Sequence, residues 1–210
     1  MEYSYNDFDV KPDPPHQPLY FEKMLEVLTS SGCRRILDAG CGDGNFAQSF
    51  FDKGFLVDGI DGSESGIRIA QSRGLGRFMR GSLYDDFLVM LGEESHYDAI
   101  YSVEVIEHLY DPKKFIFRAN QALAIGGLLI VTTPYWGYLK NLGLALTNRI
   151  DRALTVMWDG GHIKHFSAKT LTCMVEEQGF RRIQFFGAGR PIPFLWSGMM
   201  IVFTKEVESV

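Results

Sequence analysis

Cysteine is scarce: Cys33, Cys41 and Cys173 are the only three in 210 residues, and no pair has a C-x-x-C spacing. An odd, scattered set excludes a disulfide framework and a paired-cysteine zinc site, and it suits a reducing cytoplasm. Long apolar runs are lacking too. None reaches the roughly 18 residues that a bilayer-spanning helix requires, and no charged amino-terminal region leads into an apolar stretch with a cleavage site. The expectation is a soluble, cytoplasmic chain that can still work beside a membrane. Basic residues are thinly spread: 21 Lys and Arg stand against 26 Asp and Glu, for a net charge of −5. With no dense Lys/Arg run and no basic patch interleaved with aromatics, nucleic acid is disfavoured as a partner.

What is present reads as one α/β domain, since 46% hydrophobic and 22% charged residues over this length support a well-buried core. The most informative stretch is RRILDAGCGDGNF, residues 34–46. Ile36 and Leu37 read as the end of a buried strand closed by Asp38, and Gly40, Gly42 and Gly44 follow at every second position. Glycines at that spacing allow positive φ and close ligand approach. A helix from about Asn45 to Asp52 would point free N–H groups back at the ligand. The plain alternative is a tight strand-to-helix turn that needs glycine only for packing.

The spacing separates two kinds of ligand. A nicotinamide-binding turn is written G-x-G-x-x-G, and its diphosphate needs a loop free of carboxylates. Here the pattern is D-x-G-x-G-x-G, with Asp38 and Asp43 beside the turn. A cationic, phosphate-free ligand fits better: the ammonium of a sulfonium cofactor's amino-acid tail can be met by carboxylate or carbonyl oxygens. Downstream, FLVDGIDGS at 55–63 repeats the apolar strand that ends in an acid, Asp61, 19 positions beyond Gly42. That carboxylate can accept both hydroxyls of a ribose, with Gly62 beside it, or it can cap the helix that follows. Ser63 is available for the capping instead.

These residues resemble the class I S-adenosylmethionine-dependent methyltransferases, with DAGCGDG as first motif and Asp61 as acidic second. The resemblance covers about residues 17–204. YDAIYSVEVIEHLYDP at 97–112 is similar to the family's fourth strand and its exit, and LAIGGLLIVTTP at 123–134 to its fifth. It implies a Rossmann-like three-layer sandwich around a mostly parallel seven-stranded sheet with a closing antiparallel hairpin. RRIQFFGAGR and WSGMMIVFTK are the two strand-like runs of that hairpin. It also implies S-adenosyl-L-methionine bound by Asp38, Gly40, Cys41, Gly42, Asp61, Gly62 and Val103. At the third-strand position, where the family often has an acid for the adenine amino group, this chain has Ser82, which leaves the backbone around Ser82 and Leu83 to serve.

Along the chain, residues 1–18 hold four of the eight prolines and read as an extended arm able to fold over the cofactor. Gln17 to Ser31, with Leu19, Tyr20, Met24, Leu25 and Leu28, reads as an amphipathic helix before the first strand. The remainder, 19–210, is expected to be one methyltransferase domain with residues 135–160 as a helical lid insertion. In WGYLKNLGLALTNRIDRALTVMW, residues 136–158, one apolar stripe runs through Leu139, Leu142, Leu146, Ile150, Ala153, Leu154 and Met157. It reads as a helix that covers the domain, as a lid over a hydrophobic acceptor, or as an interfacial helix making peripheral membrane contact to reach a lipid-linked one.

On the acceptor side, Glu104, Glu107 and His108 leave the fourth strand where a short helix would put i, i+3 and i+4 on one face. Three readings stand. Acids early in a helix favour its dipole, which is a structural role. His108 can act as general base for an acceptor hydroxyl. Or the set holds a divalent metal completed by His162 from DGGHIKHFS at 159–167. The E-x-x-E-H string with a later His resembles quinone-pathway catechol O-methyltransferases and small-RNA terminal-ribose methyltransferases, in which acids and histidines hold a metal. Many relatives with a similar strand exit carry none, so metal-free chemistry is the expectation. His162 and His165 are expected to bring at least one imidazole over the pocket, with Ser167 capping the next helix. The expected reaction is in-line methyl transfer to a small-molecule or lipid-like acceptor, most simply to a hydroxyl, with His108, His162 and Glu104 as catalytic candidates. The rivals are a dinucleotide-dependent oxidoreductase and a cofactor-binding module without catalysis.

Overall fold

The computed structural model describes residues 17–207 apart from 93–95, 152, 155–156 and 158–159. The proline-rich arm through residue 16, together with Arg152 and Trp158, therefore lies outside the described residues.

Helix α1 (Gln17–Ser30) precedes an alternation of β1 (Arg35–Ala39), α2 (Asn45–Phe51), β2 (Leu56–Asp61), α3 (Glu64–Ser72), β3 (Phe78–Arg80), α4 (Phe87–Leu91) and β4 (Tyr97–Val103). A 3-10 turn (Ile106–His108) leads to α5 (Pro112–Ala122), β5 (Leu123–Pro134), α6 (Tyr138–Leu146), α7 (Ala168–Glu176), β6 (Phe180–Ala188) and β7 (Gly198–Lys205). The seven strands lie in the order β3-β2-β1-β4-β5-β7-β6. β1 to β5 are mutually parallel, and β7 runs antiparallel to both β5 and β6. This is the expected sandwich with its closing hairpin.

The strand pleat builds the layers. In β1, Ile36 packs into the core beside α1, α2 and α3, whereas Leu37 and Ala39 join the core beneath α4, α5 and α7. Such a strand reads as a continuous apolar run because both of its faces are buried. Phe50 and Phe115 anchor the two sides at 0% exposure, each contributing about 2–3 kcal/mol by apolar burial. The order reverses between β1 and β4, and in open α/β sheets that reversal opens a crevice at the carboxyl ends of the strands.

At the opposite rim, polar groups tie the sheet together. Asp58 accepts the Tyr97 hydroxyl at 2.8 Å and is bridged by Arg35 and Arg77, each at 3.2 Å. Lys205, 1% exposed, donates to the carbonyls of Asn120 and Leu123 at 2.7 Å each, tying the end of β7 to the junction of α5 and β5.

The segment after β5 departs from expectation. Helix α6 stops at Leu146 and buries none of its side chains, so the stripe does not continue as one helix to Met157. Asn148 takes φ 53°, the Asn148 N–H donates to Ala145 and the Arg149 N–H to Leu144. That is a left-handed helix stop, which overrides the apolar periodicity beyond it. By contrast, α7 begins as expected: Ser167 and Thr170 form a reciprocal capping box.

Candidate active site

The crevice is walled on one side by the glycine loop. Gly40, Gly42 and Gly44 have φ of 93°, 52° and 76°, a region that glycine enters without a Cβ penalty. A Cβ on Gly40 would lie 2.5 Å from Val105 Cγ2, so this glycine also lets the β4 exit approach β1. The packing reading of the loop is met at this position.

Asp61 does two jobs. One carboxylate oxygen accepts the Gly42 N–H at 2.9 Å and the other accepts the Ser63 N–H at 2.7 Å. It thus fastens the glycine loop to the start of α3, while Ser63 caps that helix by accepting from Gly66. Asp43 is drawn aside by Arg73, which bonds its carboxylate at 3.1 Å and its carbonyl at 2.8 Å. Asp38 remains beneath the loop, 2% exposed, accepting the Tyr101 hydroxyl at 3.0 Å. Burial pushes its carboxyl up to about 8, against the Tyr101 hydrogen bond and helped by the charges of Asp61 and Asp43.

The remaining cofactor candidates are arranged less uniformly. The Cys41 thiol is buried against Gly59, which leaves the Cys41 backbone as the part of the residue within the loop. A Cβ on Gly62 would meet open space. The Ser82 hydroxyl accepts the Tyr84 N–H at 3.1 Å and the Ser82 N–H donates to Asp85 at 3.2 Å, so Ser82 is held in a turn. Leu83 packs into the core with Phe87, and Val103 ends β4 half-buried.

Across the crevice the β4 exit is not the short helix expected. Glu104 has φ 55°, a left-handed geometry from which a non-glycine residue cannot start a helix without strain. Helical turn begins only at Ile106, so Glu104, Glu107 and His108 do not share one helical face. Glu104 is pinned instead to β5. Its N–H donates to the Thr132 hydroxyl at 3.0 Å, and that hydroxyl donates to the Glu104 carboxylate at 3.1 Å. Burial pushes the Glu104 carboxyl up to about 7, with Thr132 and the Lys140 charge acting against it.

The histidine loop folds over this exit because the Glu107 carbonyl accepts both the Ile163 and Lys164 N–H groups at 3.0 Å. It brings His162 Nε2 to 4.0 Å from Glu107 Oε1 and sets the His108 and His162 rings 5.0 Å apart, edge to face. Donor atoms of Glu107, His108 and His162 all lie within 4.8 Å of one another; Glu104 stands outside that set. His165 stacks on Trp136 at 4.3 Å.

Glu107 is 1% exposed, and among the described residues neither carboxylate oxygen has a hydrogen-bond partner. Burial and the Glu104 charge push its carboxyl well up; Thr133 eases this without reaching hydrogen-bonding geometry. Burial lowers both imidazoles. His162 falls to about 4, helped by His108 and His165, while the Gly161 and Gly160 backbones partly restore His108. Both shifts favour the neutral imidazole.

Comparison with known proteins agrees with this layout: the methyltransferase domain family matches residues 16–184. The chain belongs to that family. The methyltransferase CcbJ of Streptomyces caelestis superposes with a TM-score of 0.72 at 14% identity, covering 97% of this chain and 95% of that one. The magnesium protoporphyrin IX methyltransferase ChlM of Synechocystis PCC 6803, solved with bound SAH, gives 0.67 at 17% identity over 90% of this chain and 83% of that one. Both likenesses concern the fold. A ubiquinone biosynthesis O-methyltransferase of Caulobacter sp. strain K31 is 34% identical over 103 residues, 47% of this chain and 40% of that protein. The chain spans about half the length of the curated relatives it matches.

Several residues that shape this methyltransferase site are silent in the sequence pattern. Thr132 sits in an apolar run, and its role shows only when β5 lies beside β4. Tyr101 reads as a strand aromatic. Lys140 reads as the polar side of a helix, whereas its ammonium donates to the Tyr135 carbonyl at 2.6 Å and the Ser197 carbonyl at 3.3 Å. The doublet of threonines before Pro134 is the one local signal that the strand end turns polar.

Proposed function

We propose that the chain transfers a methyl group from S-adenosyl-L-methionine to a hydroxyl of a small-molecule or lipid-like acceptor. The observation that carries the acceptor side is the convergence of Glu107, His108 and His162 beside a strand exit that touches the glycine loop through Val105. The family membership and the curated relatives named as O-methyltransferases support it.

On this reading the cofactor's amino-acid tail lies on Gly40, Cys41 and Gly42 with Asp38 beneath. Asp61 and Gly62 take the ribose, and the backbone at Ser82 and Leu83 faces the adenine, with Val103 as floor. The acceptor oxygen attacks the methyl carbon as the carbon–sulfur bond breaks, leaving S-adenosylhomocysteine. His108 takes the hydroxyl proton, its ring oriented by the Gly161 backbone, and His162 and Glu104 hold the acceptor. Collinear positioning supplies the largest share, on the order of 7 to 11 kcal/mol at best, with a general base adding roughly 10²- to 10⁴-fold.

The donor set also fits a divalent cation. A buried carboxylate without hydrogen bonds beside two neutral imidazoles is an oxygen/nitrogen ligand set for a borderline metal. Glu107, His108 and His162 would hold the ion. Bound there, it would lower the pKa of an acceptor hydroxyl and orient an adjacent one.

On this reading helix α6, whose Tyr138, Leu139, Leu142 and Leu146 are exposed, is a lid for the acceptor side. Such a surface suits an apolar acceptor or contact with a membrane that carries it. Among the described residues no helix is long and apolar enough to cross a membrane. The experiment is an acceptor screen with aromatic diols, with and without EDTA, that reads S-adenosylhomocysteine. Co-sedimentation with anionic and neutral vesicles tests membrane contact, and no binding to either discards it.

A further inference from the structure

Arg80 closes β3 beside the strand that ends in Asp61. The two residues are register partners in the parallel β2–β3 pair, and the Gly81 N–H donates to the Asp61 carbonyl at 3.0 Å. The Arg80 side chain reaches the segment that follows β2: its Nε donates to the Gly62 carbonyl at 3.3 Å and its Nη1 to Glu64 Oε2 at 3.1 Å. The guanidinium is thereby fixed at two atoms beside Asp61. Ser82 and Leu83 follow directly in the exit of the same strand, so Arg80 joins the two segments that border the cofactor's nucleoside end.

Stability does not require this arrangement. The Arg80 and Glu64 side chains are 51% and 57% exposed, and an ion pair in that setting adds little to folding. Glu64 also meets Arg68, one turn along its own helix, at 3.2 Å through its other oxygen, so it has a cation without Arg80. Gly62, by contrast, offers no side chain, and a Cβ there would meet open space. A purine lying between the ribose acceptor Asp61 and the backbone at Ser82 and Leu83 finds nothing on Gly62 to cover its face. The guanidinium tied to the Gly62 carbonyl is the flat group beside that space. Its hydrogen bonds run in its own plane, so keeping them does not compete with stacking on a ring.

We infer that Arg80 is a cofactor-binding residue whose guanidinium stacks on the adenine ring of S-adenosylmethionine, with Glu64 and the Gly62 carbonyl setting its orientation. The inference rests on the cofactor layout proposed above. It gives the adenine a side-chain contact where Ser82 and Leu83 offer backbone.

The test is calorimetry of the whole protein, wild type, Arg80→Ala and Arg80→Lys, with S-adenosylhomocysteine and with adenosine, two ligands that lack the sulfonium charge. Loss of a guanidinium stack should raise the Kd of Arg80→Ala roughly three- to thirtyfold, by the same factor for both ligands because both carry the adenine. Arg80→Lys keeps the charge but not the plane, so its Kd should lie nearer that of Arg80→Ala than that of wild type. In the wild-type complex, nuclear Overhauser contacts should join adenine H2 or H8 to the Arg80 δ-methylene protons. A Kd for Arg80→Ala within about twofold of wild type, a loss confined to S-adenosylhomocysteine, full recovery by Arg80→Lys, or absence of the Overhauser contacts would overturn the inference and leave Arg80 a surface ion-pair partner. Failure of the wild-type protein to bind either ligand is a separate result, which sinks the cofactor layout itself and this inference with it.

Discussion

Glu107 and His162 meet over the crevice, carboxylate oxygen to imidazole nitrogen at 4.0 Å, on an acid that is 1% exposed. Burial disfavours the charged form of each, so the contact is not a strong ion pair but a place prepared for a proton or a cation. Glu107→Ala and His162→Ala should each lower turnover by roughly a hundredfold while the Kd for S-adenosylmethionine holds. Release of S-adenosylhomocysteine and calorimetry give the two readouts. If EDTA leaves the wild-type rate unchanged and divalent ions bring no gain, the metal role is removed and the base role stands.

Asp61 fastens Gly42 and Ser63 with one carboxylate. Asp61→Ala loosens the loop and removes the ribose acceptor, so cofactor affinity should drop by at least roughly tenfold. Titration calorimetry measures it; affinity within twofold of wild type would show that Asp61 only ties the loops together.

Asp38 is mostly protonated near neutrality because burial, first of all, holds its carboxyl at about 8. Meeting a cofactor ammonium requires the carboxylate, so binding should release a proton and tighten as pH rises to about 8. Tyr101→Phe removes the hydrogen bond that opposes the shift and should carry the plateau to higher pH. Calorimetry in two buffers of different ionisation enthalpy counts the proton; no difference between the buffers would show that Asp38 does not titrate on binding.

How much of this was legible in the sequence depends on how local the cause is. The glycine loop, Asp61 and the Ser167 cap are short-range chemistry, and the structure shows the positive φ angles and the cap as expected. The alternation of apolar strands with helices carried the sheet as far as its closing hairpin. The Glu104 geometry was misread because its cause, Thr132 on the neighbouring strand, is a tertiary contact that no helical spacing encodes. In the 136–158 segment the apolar spacing does not become one helical face, because the chain leaves the helix at Asn148, with the Asn148 and Arg149 N–H groups turned back to Ala145 and Leu144. Tyr101 reads as a strand aromatic, since apolar periodicity records the ring and not the hydroxyl that Asp38 accepts.

Far from the crevice, Asp58 sets the acid limit. Burial alone would raise its carboxyl, but the Arg77 N–H, the Tyr97 hydroxyl, Arg35 and the Arg77 charge together hold it below its ordinary value. The stabilisation is therefore complete above about pH 4 and is lost as pH falls through the folded-state value. Asp58→Asn should cost on the order of 2 kcal/mol at pH 7 and flatten the acid limb of stability. Urea unfolding between pH 3 and 7 checks this; an acid limb unchanged from wild type would place the cause elsewhere.

The central claim is transfer of a sulfonium methyl to oxygen. The direct measurement is mass spectrometry of a reaction between the whole protein, S-adenosylmethionine with a trideuterated methyl, and a panel of aromatic diols. The account predicts S-adenosylhomocysteine and a singly labelled methyl ether in equal amounts, both reduced in His108→Ala. Label found only on carbon or nitrogen when such acceptors are offered, or tight binding of NAD with no affinity for S-adenosylmethionine, would contradict it.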